Sequence, residues 1–195
     1  MGAILIETAR FRERDLADGV RRWYNSDEPA RLLKQMNKHV DSADLIVRRA
    51  DILCPAAQAL IAALNAELSA TYPEQGACHF RLDLDEVAPG RGAFLMATRA
   101  ERPVGCGAFR RIDDTSAEVK RMYVIPDERG KGVGRSIVDA LESEANRLGL
   151  PRLVLETGVR QHAAMALYHR LGFRQIPAFG EYVSSPLSVC MEKMR

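Results

Sequence analysis

Between Arg129 and Arg135 the chain reads RGKGVGR, with glycines at the alternate positions 130, 132 and 134 and a lysine between the first two. Pro126-Asp127-Glu128 precedes this stretch, a turn signal in which the proline stops a strand. After it, Val133, Ile137, Val138, Leu141, Ala145 and Leu148 recur at three- and four-residue steps, which predicts an amphipathic helix. The glycines therefore lie where a strand gives way to a helix, and the helix's first unpaired N–H groups and positive dipole end face whatever the loop holds. An anion suits that position. The spacing matches neither the G-x-G-x-x-G dinucleotide fingerprint nor the G-x-x-x-x-G-K-[ST] P-loop. On this stretch alone, a phosphate loop and a plain tight turn fit equally well.

At 195 residues the chain suits one domain with an appendage and is long enough to bury a full core. Its 47% hydrophobic and 28% charged residues are ordinary for a globular protein, and a net charge of +2 gives no footprint for nucleic acid. Residues 7–49 mix ten Arg or Lys with eight Asp or Glu, the pattern of a solvated surface. Cys54, Cys78, Cys106 and Cys190 stand far apart with no C-x-x-C pair and no histidine cluster, so no metal is expected and the thiols are expected reduced, as in a cytoplasmic protein. The opening MGAILIETAR lacks the form of a signal peptide, and Ile6 stands where a myristoylation signal wants Ser or Thr. The longest apolar segment, PAAQALIAALNAEL, is broken by Gln58 and Asn65 and is too short to span a bilayer.

The order of elements points to a mixed sheet. Residues 1–44 are expected to hold two polar helices, the second announced by Ser26-Asp27-Glu28-Pro29. From Leu45 the reading is strand (LIVRRA), helix (CPAAQALIAALNAELSATY), two strands joined by a short turn (GAFLMATRA, RPVGCGAFRRI) and a strand ending at Pro126 (AEVKRMYVI). The glycine loop and its helix follow, then a strand (RLVLETG), a short helix (QHAAMALYHRL) stopped by Gly172, and a last strand region from Phe173 through LSVCMEK. Such a sheet is antiparallel early and gains one parallel crossover at the glycine loop, an α/β or α+β class. Strict alternation along AEVKRMYVI puts Glu118, Lys120, Met122 and Val124 on one face, and Val119, Arg121, Tyr123 and Ile125 on the other.

Two segments, EVKRMYVIPDERGKGVG and ALYHRLGF, together resemble the GNAT family of N-acetyltransferases. The first is similar to that family's strand and R/Q-x-x-G-x-G/A loop, the second to its A-x-x-L-Y-x-x-x-G-F helix. The resemblance covers roughly residues 45–195, leaving 1–44 as an N-terminal helical extension. It implies the acyl-CoA N-acyltransferase fold, a mostly antiparallel central sheet flanked by helices, with acetyl-CoA as donor and a primary amine as the usual acceptor. By that resemblance the backbone at Met122, Tyr123 and Val124 pairs with the pantetheine arm. Gly130, Gly132, Val133 and Gly134 admit the pyrophosphate, and Arg129, Lys131 and Arg135 add charge-assisted contacts. Gln161 stands where the family often has an asparagine that touches CoA.

The resemblance also implies a general base at Glu118 and a proton donor at Tyr168 for the departing thiolate. An alkylammonium of pKa ~10 must lose a proton before it attacks a thioester, and a carboxylate relays it. The plainer reading of Glu118 is a charge paired across the strand with an arginine, and of Tyr168 a core aromatic on an apolar helix face. Glu156, ending the next strand, is the second candidate base. Phe179, Glu181 and Tyr182, in IPAFGEYVSSPLSV, would overhang the acceptor. His162 and His169 read as surface residues.

No cysteine occupies either motif, so direct attack in a ternary complex is expected rather than an acetyl-enzyme. The leading expectation is a small-molecule amine acceptor, with a homodimer allowed and neither nucleic acid nor membrane as partner. A protein acetyltransferase and a non-catalytic acyl-CoA sensor are the competing classes.

Overall fold

A computed structural model describes residues 44–74 and 82–195. Seven strands form one sheet: β1 (Leu45–Arg49), β2 (Gly92–Arg99), β3 (Arg102–Arg111), β4 (Ser116–Val124), β5 (Arg152–Gly158), β6 (Arg174–Ile176) and β7 (Ser188–Met194). The helices are α1 (Pro55–Thr71), α2 (Val133–Arg147) and α3 (His162–Arg170), with single 3-10 turns at Leu84–Val87, Pro126–Glu128 and Gly180–Tyr182. The strand order is β1-β2-β3-β4-β5-β7-β6. Only β4 and β5 run parallel, joined by the α2 crossover, so the mixed and mostly antiparallel class read from the sequence is the one observed. Of the extension expected over 1–44, all but Asp44 lies outside the described residues, as does Cys78.

The sheet has a core on each face. Val133, Ile137, Val138, Leu141 and Ala145, all at or near zero exposure, pack α2 onto Leu95, Phe109, Val119 and Leu155, with Tyr168, Leu171 and Phe173 closing that layer. These are the α2 positions whose three- and four-residue spacing marks the apolar stripe. On the other face Ala57 and Leu60 of α1 meet Phe94, Cys106, Ala108 and Tyr123. Cys106 is a core thiol pushed up to about 12 by burial, and Cys54, Cys106 and Cys190 are all free.

Strict alternation fails in β4, and this corrects the face assignment expected from the sequence. Lys120 pairs with Ala108 but Tyr123 pairs with Cys106, so Arg121 and Met122 together oppose Gly107. This is a β-bulge, with Arg121 in the left-handed region at φ 57°. That conformation costs about 1 kcal/mol for a residue with a Cβ. It is held by a hydrogen bond from the Arg121 guanidinium to Asn65 Oδ1 on α1 (3.1 Å) and one from Cys106 Sγ to the Arg121 carbonyl (3.4 Å). Gly107 is required opposite the bulge, because a Cβ there would lie 2.6 Å from Met122 Sδ and 2.7 Å from Ile137. Past the bulge the faces exchange: Met122 and Val124 join the α2 core while Tyr123 joins the α1 core. Glu118 and Lys120, opposite Arg110 and Ala108, therefore point away from Met122 and Val124.

The turn into the glycine loop is anchored by Glu128, which is only 6% exposed. Its carboxylate accepts from Arg99 Nε on β2 (3.0 Å) and from Lys131 Nζ (3.4 Å). Burial alone would push this carboxyl up, but the two cations outweigh it and hold it below the ordinary glutamate value. A carboxyl with a depressed folded-state pKa contributes stability above its unfolded pKa and loses it as pH falls through the folded value. Glu128→Gln is therefore expected to cost about 2 kcal/mol at pH 7. The difference from wild type should shrink on acidification below about pH 4. Melting temperatures of both proteins at neutral and acid pH check this, and a deficit independent of pH would contradict it.

Candidate active site

The bulge bends β4 away from β5. The two strands pair over only four rungs, from Ser116↔Arg152 to Val119↔Leu155. β5 runs on to Gly158, hydrogen-bonded to β7, while β4 runs on to Val124 bonded only to β3. Among the described residues, the backbone edge of β4 that faces β5 has no neighbouring strand from Lys120 onward. The wedge between them is a slot of about 140 Å³, lined by Lys120, Arg121 and Met122 on one side and Glu156, Thr157 and Gly158 on the other. Leu64 and Leu68 of α1 and Tyr72 just past its end wall it, and Gln161, the residue before α3, and Tyr168 of α3 reach it.

At its far end β4 delivers the chain into the glycine loop. Gly130 (φ 77°) and Gly132 (φ 85°) occupy the left-handed region, and an added Cβ at either would point into open space. The first helical bond of α2 is Ser136 N–H to Gly132 O (3.0 Å). The N–H groups of residues 130–135 find no acceptor among the described residues. A row of free donors at the start of a fifteen-residue helix is an anion cradle built of backbone.

The cations around that loop are engaged elsewhere. Arg129 donates from Nε to the Val124 carbonyl (2.9 Å) and from Nη2 to Glu67 of α1 (2.6 Å). Lys131 pairs with Glu128, and the exposed Arg135 lies 3.7 Å from Asp139. Arg129 and Lys131 thus tie the loop to Glu67 and Glu128, beside amides that have no acceptor among the described residues.

Tyr168 is 5% exposed, its ring 5.6 Å from that of Phe173. Burial, and then the negative charge of Glu156, push its phenol above the ordinary tyrosine value, so it keeps its proton at neutral pH. Tyr168 is packed in the core, as the plainer reading expects, and its edge lines the slot.

Glu118 is 1% exposed and both its oxygens are taken. Oε2 accepts from Arg110 Nε (2.7 Å) and Oε1 from the Tyr182 hydroxyl (2.6 Å). Arg110 is the cross-strand arginine of the plainer reading, directly opposite Glu118 in the β3–β4 register. It also donates to Glu86 (2.5 Å), a residue of the 3-10 turn whose carboxylate caps the Asp83 N–H. Lys120 Nζ donates to Tyr182 Oη (3.1 Å) and Glu181 (3.4 Å) and lies 3.7 Å from Glu118. Burial first, and then the Glu118 carboxylate, push the Tyr182 phenol up. Phe179 stands edge-on to Tyr182 with centroids 5.4 Å apart. The C-terminal loop therefore does come over the sheet, where Tyr182 is hydrogen-bonded to the carboxylate expected to act as base.

Arg110, Lys120, Glu86 and Asn65 were not marked by the sequence reading. Arg110 has a signal in principle, since an antiparallel pairing of RPVGCGAFRRI with AEVKRMYVI puts an arginine near Glu118. The others are brought in by tertiary contacts.

The description "Acetyltransferase (GNAT) family" belongs to the family model that matches residues 60–173. A protein named IAA acetyltransferase from Azospirillum brasilense is 40% identical over 152 residues, covering 77% of this chain and 97% of that protein. The crystal structure of a putative acyl-CoA N-acyltransferase from Klebsiella pneumoniae aligns with a TM-score of 0.68 at 35% identity, over 78% of this chain and 99% of that one. A GNAT family acetyltransferase from Elizabethkingia anophelis, solved with acetyl-CoA bound, shares the fold at 16% identity with a TM-score of 0.56, over 78% of this chain and 99% of that one. With its sheet, its glycine loop and its ALYHRLGF helix in place, this chain belongs to the acetyltransferase (GNAT) family.

Proposed function

We propose that this acetyltransferase moves the acetyl group of acetyl-CoA to a primary amine of a small molecule, by direct attack with both substrates bound. The observation that carries the reading is the end of β4–β5 pairing at Val119/Leu155, which leaves a strand edge open beside a row of unpaired amides. An extended amide-bearing arm suits the open edge at Met122, Tyr123 and Val124 as an added strand would. A pyrophosphate suits the N–H groups from Gly130 to Arg135 at the positive end of the α2 dipole. Gln161 lies at the slot for a further contact. Bound there, acetyl-CoA supplies the thioester that the amine attacks.

The chain's own groups divide the proton work. Glu118, the first candidate base, accepts from Tyr182 and Arg110 and sits on the paired side of the split. Glu156 is the first β5 residue beyond the split and lines the slot with Tyr168. In this reading Glu156 takes the ammonium's proton, Tyr168 gives one to the leaving thiolate, and Glu118 fixes the wall between them. Burial raises the phenol's pKa, and the same dry slot raises the proton affinity of a thiolate formed in it, so the two stay matched.

Incubating the protein with acetyl-CoA and a panel of primary amines, with free thiol and product mass as readouts, tests this. Thiol release with one acetyl group added to the amine is expected, and release by water alone would contradict it. CoA at a hundredfold excess over its Kd should add about 2.7 kcal/mol of stability. That corresponds to a melting temperature higher by roughly 5–10 °C. Gly132→Val should lower the unliganded melting temperature, because valine is strained at φ 85°, and should also lose the CoA-dependent rise. A mutant that keeps the full rise would show the loop to be only a turn.

A further inference from the structure

Beyond the Tyr182–Glu118 hydrogen bond lies a second cavity, of about 470 Å³, within the size range of small-ligand sites. Its charged floor is Glu86, Arg110, Glu118 and Glu181, and its walls are Ile112, Phe179 and Tyr182. Glu118 and Tyr182 line both this cavity and the slot, so a ligand seated here is one side chain away from the β4–β5 split. Its elements are far apart in sequence: a 3-10 turn, the end of β3, β4 and the loop before β7.

We propose that this cavity is the acceptor site and that it takes a primary amine on an aromatic or branched aliphatic skeleton carrying no carboxylate. The inference rests on the amine-acetylation reading and narrows its acceptor. The described lining of the cavity holds three carboxylates, Glu86, Glu118 and Glu181, and one guanidinium, Arg110, with Lys120 bonded to Glu181 beside it. A lining in which carboxylates predominate favours an ammonium and disfavours a further carboxylate. Ile112, 40% exposed, offers carbon surface at the wall, and the perpendicular rings of Phe179 and Tyr182 make an aromatic corner suited to a ring or a branched chain. An amine so placed brings its nitrogen toward Tyr182, the side chain that lines both this cavity and the slot in which Glu156 lies.

Steady-state acetylation of matched acceptors tests it: phenethylamine and isopentylamine against phenylalanine and leucine, with ethanolamine as the amine lacking an apolar skeleton. Values of kcat/KM for the two apolar amines are expected at least about thirtyfold above those of the amino acids and of ethanolamine. Phe179→Ala should raise KM for phenethylamine about tenfold more than for ethanolamine, and Phe179→Leu should recover isopentylamine more than phenethylamine. Glu181→Lys should narrow the preference for phenethylamine over phenylalanine about tenfold. Each variant is first shown to be folded by its CoA-dependent melting shift. Equal use of phenethylamine and phenylalanine, or an equal effect of Phe179→Ala on all amines, overturns the proposal. If CoA raises the melting temperature and none of these amines is acetylated, the acceptor assignment fails while the donor site stands; if CoA has no effect either, the reading beneath it fails as well.

Discussion

Replacing Tyr168 by phenylalanine is expected to lower turnover by about 10²-fold or more, the loss that follows deletion of one general acid. The ring stays, and with it the contact to Phe173, so the fold and CoA affinity should be nearly unchanged. The size of the loss should depend on the leaving group. A thioester of a more acidic thiol needs less protonation and should restore much of the mutant's rate, whereas a packing defect would slow all donors alike. The direction of the Tyr168 shift adds a second readout. A phenol donates only while protonated, and burial with the nearby Glu156 charge keeps it protonated to higher pH than an ordinary tyrosine. The alkaline fall in wild-type rate that belongs to Tyr168 should therefore lie above about pH 10. A Tyr168-dependent fall near or below that pH, or equal losses with both donors, would end the general-acid assignment.

Glu156→Gln and Glu118→Gln are expected to fail in different ways. With Glu156 as the base, its amide variant should be about 10²-fold slower at neutral pH. Much of the rate should return as pH approaches the amine's own pKa near ~10, where the acceptor no longer needs the help. Glu118→Gln should show itself chiefly in stability. It breaks a buried ion pair with Arg110 and weakens the bond from Tyr182, at a cost of about 3 kcal/mol. Melting curves and pH–rate profiles of the two variants separate the roles. A pH-recoverable loss in Glu118→Gln, with Glu156→Gln at wild-type rate, would return the base to Glu118.

The framework was legible because its signals are local. Proline at 126, glycines at 130 and 132 and the spacing of Val133 to Ala145 lie in one short stretch, and they mark a strand end, a left-handed loop and a helix face. The parallel crossover follows from those elements, and the ALYHRLGF helix adds the resemblance that supplied the rest of the fold. The β4 bulge was not legible, since its left-handed residue is Arg121 rather than a glycine. It depends on Gly107 across the strand and Asn65 on α1. That one residue reverses the faces of Met122 to Val124 and opens the split. The ion pair that holds Arg129 was not legible either, since its partner Glu67 is distant in sequence. The second cavity was least legible: Glu86 and Arg110 reach Glu118 through a capping turn and the β3–β4 register, and of its lining only Glu118 and the segment Phe179 to Tyr182 stood out.

The claim that joins fold to chemistry is that the opening between β4 and β5, continued by the amides of residues 130–135, is where acetyl-CoA binds. A crystal structure of the protein with CoA tests it most directly. The pyrophosphate is expected within hydrogen-bond distance of the N–H groups between Gly130 and Arg135, the pantetheine amides paired with the edge of β4 from Lys120 to Val124, and the thiol beside Tyr168. CoA bound elsewhere, or bound with the loop amides and that strand edge untouched, would contradict it.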